Sequence, residues 1–223
     1  MTYNLELIKN KIKDAEILFF DLDGTLIDTE PLYYRFWKEA SKYCGYELSH
    51  KEALQMRSLD KNFAMQFLSQ VSNGILRYDE VKAKRIELMS KYLLTHPITF
   101  KEGAIELLSK YKQEGKKIYI VTANTVEKAE RIINDLGFMS LLSGIISAKD
   151  VKRGKPYPDV YLSASKQAGK NPSEIVVFED SPNGLKSSYD AGCFTVMVED
   201  LTPYTSDMNY VHGAVKSLKN LLN

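Results

Sequence analysis

Cysteine is nearly missing from this chain: Cys44 and Cys193 are the only two in 223 residues, and they stand far apart. Thiolate metal sites and dithiol redox sites need close pairs, so neither is on offer, and both cysteines are expected to be small buried hydrophobes. A charge excess is missing too. Thirty Lys+Arg against 29 Asp+Glu leave a net +1, which gives no support for a nucleic-acid partner. No apolar run approaches the roughly 20 residues a bilayer span needs. Residues 1–7 lack the basic start and apolar middle of a signal peptide, so a cytoplasmic location is expected. There is no fixed repeat and no low-complexity segment. What remains is ordinary for a soluble globular protein: 44% apolar and 26% charged residues, enough for one large domain or a domain with an insert.

The most informative stretch is Ile17-Leu18-Phe19-Phe20-Asp21-Leu22-Asp23-Gly24-Thr25. Four consecutive apolar residues with no helical period read as a buried strand of a parallel sheet. The strand runs into two aspartates one residue apart. Ligands of open α/β sheets bind at the carboxyl ends of strands. Carboxylates crowded there repel unless a proton or a cation intervenes, and Mg²⁺ prefers hard oxygen ligands of this kind.

Residues 4–14 read as a short amphipathic helix carrying Leu5, Ile8 and Ile12. From Pro31 to about Pro97 glycines are few and helical stripes recur: Tyr33, Phe36, Trp37, Ala40; a less regular Phe63, Met65, Phe67, Leu68; and Val81, Arg85, Leu88, Met89, Tyr92. This region is predicted to be a helical insert. After Pro97 helices and strands alternate, with strands at 117–121, 144–146, 174–178 and, last, 194–198. Glycines 115, 137, 169 and 192 close the helices. Such alternation means right-handed βαβ units on a parallel sheet. The expected architecture is a Rossmann-like α/β core (1–30 and 99–223) with an inserted α-helical cap domain (31–98). Residues 32–98 carry a net +4 and the rest a net −3, a division that would favour anionic substrates.

Each strand end brings polar residues to the same edge. The first offers Asp21 and Asp23, the second Thr122, Ala123 and Asn124, the loop after the third Lys155, and the fourth Glu179 and Asp180. These types suit phosphoryl transfer through a covalent intermediate. Asp21 is placed as nucleophile, and Asp23 as the acid that protonates the leaving oxygen and then the base that activates water. Asp180, helped by Glu179, would hold Mg²⁺ with Asp21. Thr122, the helix start at Ala123 and Asn124, and Lys155 would bind the phosphoryl group.

The motifs Asp21–Glu30, Val121-Thr122-Ala123-Asn124, Gly154–Asp159 and Val177–Gly184, in this order, resemble the haloacid dehalogenase superfamily of phosphatases. Within it the chain is most similar to the β-phosphoglucomutase-like group with a helical cap. The resemblance spans about Ile17 to Val198. It implies Mg²⁺ dependence, Asp21 as nucleophile, Asp23 as acid/base with its backbone carbonyl also reaching the metal, Thr122 and Lys155 as phosphate binders, and Asp180 as metal ligand. It also implies that the insert is a mobile cap. Mutase members of the group carry a histidine where ungapped counting puts Tyr33, which favours hydrolysis over a phosphosugar mutase. Arg85, interrupting an apolar stripe, and Arg57, in a cap loop, are candidate substrate contacts beside Tyr33. The expected function is a Mg²⁺-dependent phosphatase of a small phosphorylated metabolite such as a sugar phosphate, acting through an aspartyl phosphate. The rival of another class is a receiver-like phosphoacceptor module, which lacks both an acid two residues past its acceptor and such an insert.

Overall fold

The computed structural model describes residues 4–222. The chain divides into two compact units, one from residues 1–27 and 100–223 and one from Asp28–Thr99.

The first unit is built on a parallel sheet. Helix α1 (Leu5–Asp14), which buries Ile8 and Ile12, leads into strand β1 (Ile17–Phe20), every residue of which is buried. The chain then returns through α6 (Ala104–Gln113), β2 (Lys117–Thr122), α7 (Val126–Asp135), β3 (Gly144–Ser147), α8 (Asp159–Ala168), β4 (Ile175–Glu179), α9 (Pro182–Asp190), β5 (Phe194–Val198) and β6 (Gly213–Val215). The strand order is β3-β2-β1-β4-β5-β6, all neighbours parallel. The α/β class and the parallel sheet are therefore as expected. One strand is a correction. Phe194–Val198 is not the last, because β6 pairs with it through Val196–Val198. Three residues, Gly-Ala-Val, are too few to show a period.

The order reverses beside β1, since the chain builds β2 and β3 on one side and then crosses to β4 on the other. That topological switch is where a crevice opens at the carboxyl ends of such a sheet. Register sets what faces it. Phe20 lies opposite both Ile120 and Phe178, and the Asp21 amide donates to Phe178 O at 2.9 Å. Asp21 is thus level with Val121 and Glu179. Side chains alternate along a strand, so Asp21 shares a face with Ile17 and Phe19, and Glu179 with Ile175 and Val177. These apolar residues pack against Val160, Tyr161 and Ala164 of α8 in one buried cluster. The same alternation that buries the core therefore sends both carboxylates to the face that α8 covers.

The second unit is helical: α2 (Glu30–Tyr43), α3 (His50–Gln55), α4 (Lys61–Val71) and α5 (Tyr78–Leu93). Its core holds Trp37, Ala40, Leu48, Ala64, Leu68 and Val81 among others. A reciprocal capping box fixes the start of α3, with Ser49 and Glu52 each accepting the other's backbone N–H. In α4 Leu68 of the irregular stripe 63–65–67–68 is buried and Phe67 packs against this core, whereas Met65 is 41% exposed and Ala64 is buried in addition, so the stripe misplaces Met65 alone. Cys193 is buried as expected and its thiol is pushed up to about 12, mainly by burial. Cys44 is only half-buried, because it packs against this core from the C-terminal cap of α2, where the helix ends.

Candidate active site

At the carboxyl edge of β1, β2 and β4 the ammonium of Lys155 sits among buried acids. Its Nζ donates to Asp21 Oδ1 at 2.6 Å and to Val121 O at 3.4 Å, and it is in direct contact with Glu179 Oε1. Lys155 is 1% exposed and Glu179 and Asp180 are fully buried. One carboxylate oxygen from each of Asp21, Glu179 and Asp180 lies within 4.8 Å of the others. Three buried carboxylates against one ammonium leave an excess of negative charge. Burial pushes the Asp21 carboxyl well above the usual carboxylate range; Lys155 pulls it back, and Glu179 and Asp180 push it up again. Burial works against the charge of Lys155, but Asp21 and Glu179 outweigh it and raise its pKa. A divalent cation bound by hard oxygens is what this set of donors fits. Asp21 and Asp180 would hold it, beside Glu179 and the loop of Asp23.

The other half of the site hangs on β2. Asn124 Nδ2 donates to Asp23 Oδ2 at 2.6 Å, and Lys128 Nζ donates to Asn124 Oδ1 at 2.7 Å, which orients the amide. The Asn124 backbone N–H donates to Thr122 Oγ1 at 3.1 Å, and the Ser147 hydroxyl donates to Asn124 O at 2.6 Å. Thr122 does not cap α7. Thr125 does so, accepting from the Lys128 N–H, and among the described residues no group accepts the Thr122 hydroxyl proton. Thr122 therefore keeps a donor in a buried position.

Asp21, Lys155, Glu179 and Asp180 thus meet in one cluster, while Thr122, Ala123 and Asn124 lie along the loop that reaches Asp23. Glu179 is the last residue of β4 rather than the first beyond it. Several participants were not picked out in the sequence. Thr25 Oγ1 donates to Asp180 Oδ1 at 3.3 Å, and Tyr161 OH donates to Glu179 Oε1 at 2.7 Å. Ser181 donates its hydroxyl to Glu179 Oε2. Gly184 is needed because a Cβ there would lie 2.0 Å from Glu179 Oε1. Thr25 stands in a quoted motif and could have been found; Tyr161 carries no signal, because its place in the helix period reads as plain core.

Tyr33, Arg57 and Arg85 belong to the helical unit. Arg57 Nε donates to Glu30 Oε2 at 2.8 Å, both groups being buried. Arg85 is 8% exposed, with its guanidinium carbon 4.9 Å from the ring centroids of both Tyr33 and Trp37. Its Nε has no hydrogen-bond partner among the described residues, and its Nη1 meets only the Met89 sulfur at 3.9 Å. A cavity of about 220 Å³ bordered by Lys11, Glu16 and Lys170 also contacts Ile17 and Ile175. Those residues start their strands, so it lies at the opposite edge and is not part of this site.

The model of the haloacid dehalogenase-like hydrolase family matches residues 18–198. Hexitol phosphatase A of Escherichia coli (strain K12) is 31% identical over 202 residues, 91% of each chain. Validoxylamine A 7'-phosphate phosphatase of Streptomyces hygroscopicus subsp. limoneus is 31% identical over 183 residues, 81% of this chain and 84% of its own. The crystal structure of β-phosphoglucomutase from Clostridium difficile superposes with a TM-score of 0.76, covering 93% of each chain at 22% identity, a likeness of fold. Both curated relatives are phosphatases, in agreement with the phosphoric monoester hydrolase expected from the motifs. With its strand-end motifs in order and the family model spanning its sheet from β1 to β5, this chain belongs to the haloacid dehalogenase-like hydrolases.

Proposed function

We propose that the protein is a cytoplasmic Mg²⁺-dependent phosphatase of small phosphorylated metabolites, sugar phosphates in the first place, working through an aspartyl phosphate. The observation that carries this reading is the Lys155 ammonium lodged between Asp21 and Glu179, with Asp180 beside them at the end of β1. The phosphatase relatives agree with it.

In the first step an Asp21 carboxylate oxygen attacks phosphorus. The bond from phosphorus to the ester oxygen breaks as Asp23, held by Asn124, gives that oxygen its proton. In the second step Asp23 takes a proton from water, which attacks phosphorus and breaks its bond to Asp21, releasing phosphate. Thr122, the backbone at Ala123 and Asn124, and Lys155 grip the phosphoryl oxygens. The Mg²⁺ that Asp21 and Asp180 would hold, with Asp23 and Glu179 beside them, supplies positive charge against the phosphoryl oxygens when bound.

Residues 28–99 serve as the cap. Within it Arg57 is already neutralised by Glu30, whereas Arg85, against the rings of Tyr33 and Trp37, has no carboxylate paired with it among the described residues. Arg85 is therefore the better placed of the two to take charge from a substrate, with Tyr33 as its neighbour. Tyr33 in place of a histidine favours release of phosphate over its return to the sugar. The test is a panel of phosphorylated metabolites assayed for inorganic phosphate with Mg²⁺ and with chelator. Release from at least one small ester, abolished by chelation, is expected. No release from any ester with Mg²⁺ present would overturn the reading.

A further inference from the structure

Glu179 is saturated with donors. Its Oε1 receives the Lys155 ammonium and the Tyr161 hydroxyl, the latter at 2.7 Å. Its Oε2 receives the Asp180 N–H at 3.2 Å and the Ser181 hydroxyl at 3.3 Å. A carboxylate offers about four lone-pair positions, and all of them are taken. The carboxylate is also walled in, since a Cβ on Gly184 would approach its atoms to 2.0–2.1 Å. A metal ion at Glu179 would have to displace one of four bonds in a fully buried setting, which leaves a donor unpaired at high cost.

We infer that Glu179 is a fixed counter-ion for Lys155 rather than a metal ligand, and that the hydroxyl of Tyr161 is the positioning group that shares Glu179 and so sets where Lys155 stands. The charges agree. With Glu179 balanced by Lys155, Asp21 and Asp180 are left with the two negative charges that match a divalent ion. Lys155 lies between two carboxylates, 2.6 Å from Asp21. A second donor on Glu179 Oε1 weakens that oxygen's hold on the ammonium and keeps it turned toward Asp21. Without the hydroxyl, Glu179 draws Lys155 away from the place where a phosphoryl group is gripped. The role of Lys155 in gripping phosphate rests on the function proposed above; the counter-ion assignment does not.

Three variants separate the possibilities: Tyr161→Phe, Glu179→Gln and Asp180→Asn. Calorimetric titration with Mg²⁺ alone is expected to show affinity within about threefold of the parent for Tyr161→Phe. The expected loss is about tenfold for Glu179→Gln and well beyond about 100-fold for Asp180→Asn, which removes a ligand's charge outright. Titration with inorganic phosphate at saturating Mg²⁺ should find Tyr161→Phe about fivefold weaker. On the best ester of the panel its KM should rise by a similar factor with kcat within about twofold, because a phosphate grip acts on ground and transition states alike. Glu179→Gln losing as much Mg²⁺ affinity as Asp180→Asn would make Glu179 a ligand and sink the counter-ion role. Tyr161→Phe with unchanged phosphate affinity, KM and kcat, whatever its melting temperature, would reduce the hydroxyl to core filling. If the parent hydrolyses no ester yet shows the expected order of Mg²⁺ affinities, the phosphatase reading fails and the counter-ion assignment stands.

Discussion

Asp21 is costly to hold as an anion where it stands, because burial raises its carboxyl well above the usual range and only Lys155 opposes this. Asp21→Asn is expected to abolish turnover, since an amide cannot attack phosphorus, while removing a buried charge and leaving the melting transition cooperative. Turnover at the parent rate in that variant would refute the nucleophile. Asp23→Asn keeps the shape that Asn124 recognises but loses the proton, so kcat should fall by about 10²- to 10⁴-fold. Gly184→Ala drives a methyl group into the Glu179 carboxylate. It should cost at least about tenfold in activity, and a structure of the variant should show Glu179 displaced. At this scale the residues legible in the sequence were acids whose type is unusual at a strand end, Asp21 and Asp23, and Lys155, which stands in the Gly154–Asp159 motif of the loop after β3. Tyr161 was not legible, because an aromatic on a helix stripe has the same period whether its hydroxyl is idle or bonded.

Elements were readable where they are long or continuous. Strand β1 announced itself by four apolar residues ending in acids, and the helices after Pro97 by periodicity and a closing glycine. Strand β6 escaped notice because pairing with β5, not its own three residues, makes it a strand. In helix α4 the stripe holds at Leu68 and fails at Met65, which is apolar yet exposed, while Ala64, too small to mark a stripe, faces inward. Helix α7 depends on its cap: Thr125 accepts the Lys128 N–H, and Lys128 in turn holds Asn124. Thr125→Ala should cost about 1 kcal/mol, which for a chain of this length lowers the melting temperature by roughly 2–4 °C. Calorimetry would check it, and an unchanged transition would mean that the cap adds nothing.

For the molecule as a whole, the clearest consequence of three clustered carboxylates is linkage to a cation. Mg²⁺ that binds the folded chain stabilises it by about 2.7 kcal/mol at one hundred times its dissociation constant, so the melting temperature should rise with added Mg²⁺ and fall back with chelator. A transition indifferent to both would count against the metal site. In the helical unit the buried Arg85 has no acid paired with it among the described residues and its Nε has no hydrogen-bond partner there, and a buried charge without a partner is expensive. Arg85→Met should therefore raise the melting temperature by a few degrees, about 1 kcal/mol, while KM for the physiological ester rises. Loss of stability instead would mean that the two aromatic rings satisfy the guanidinium fully. No helix among the described residues is long and apolar enough to cross a membrane.

The order of motifs along the chain was enough to determine the family, the parallel sheet and the edge at which Asp21, Lys155, Glu179 and Asp180 meet, because strand-end position and residue type are both written in one dimension. Which acid pairs with Lys155 was decided only by tertiary structure. Glu179 and Asp180 are adjacent letters of the same kind, and the alternation of β4, the approach of α8 with Tyr161 and the gap left by Gly184 give them different partners. Likewise the sequence puts Arg57 in a loop and Arg85 on an apolar stripe, but it does not give their partners. One met a buried glutamate and the other two aromatic rings, a distinction that arises only when helices pack.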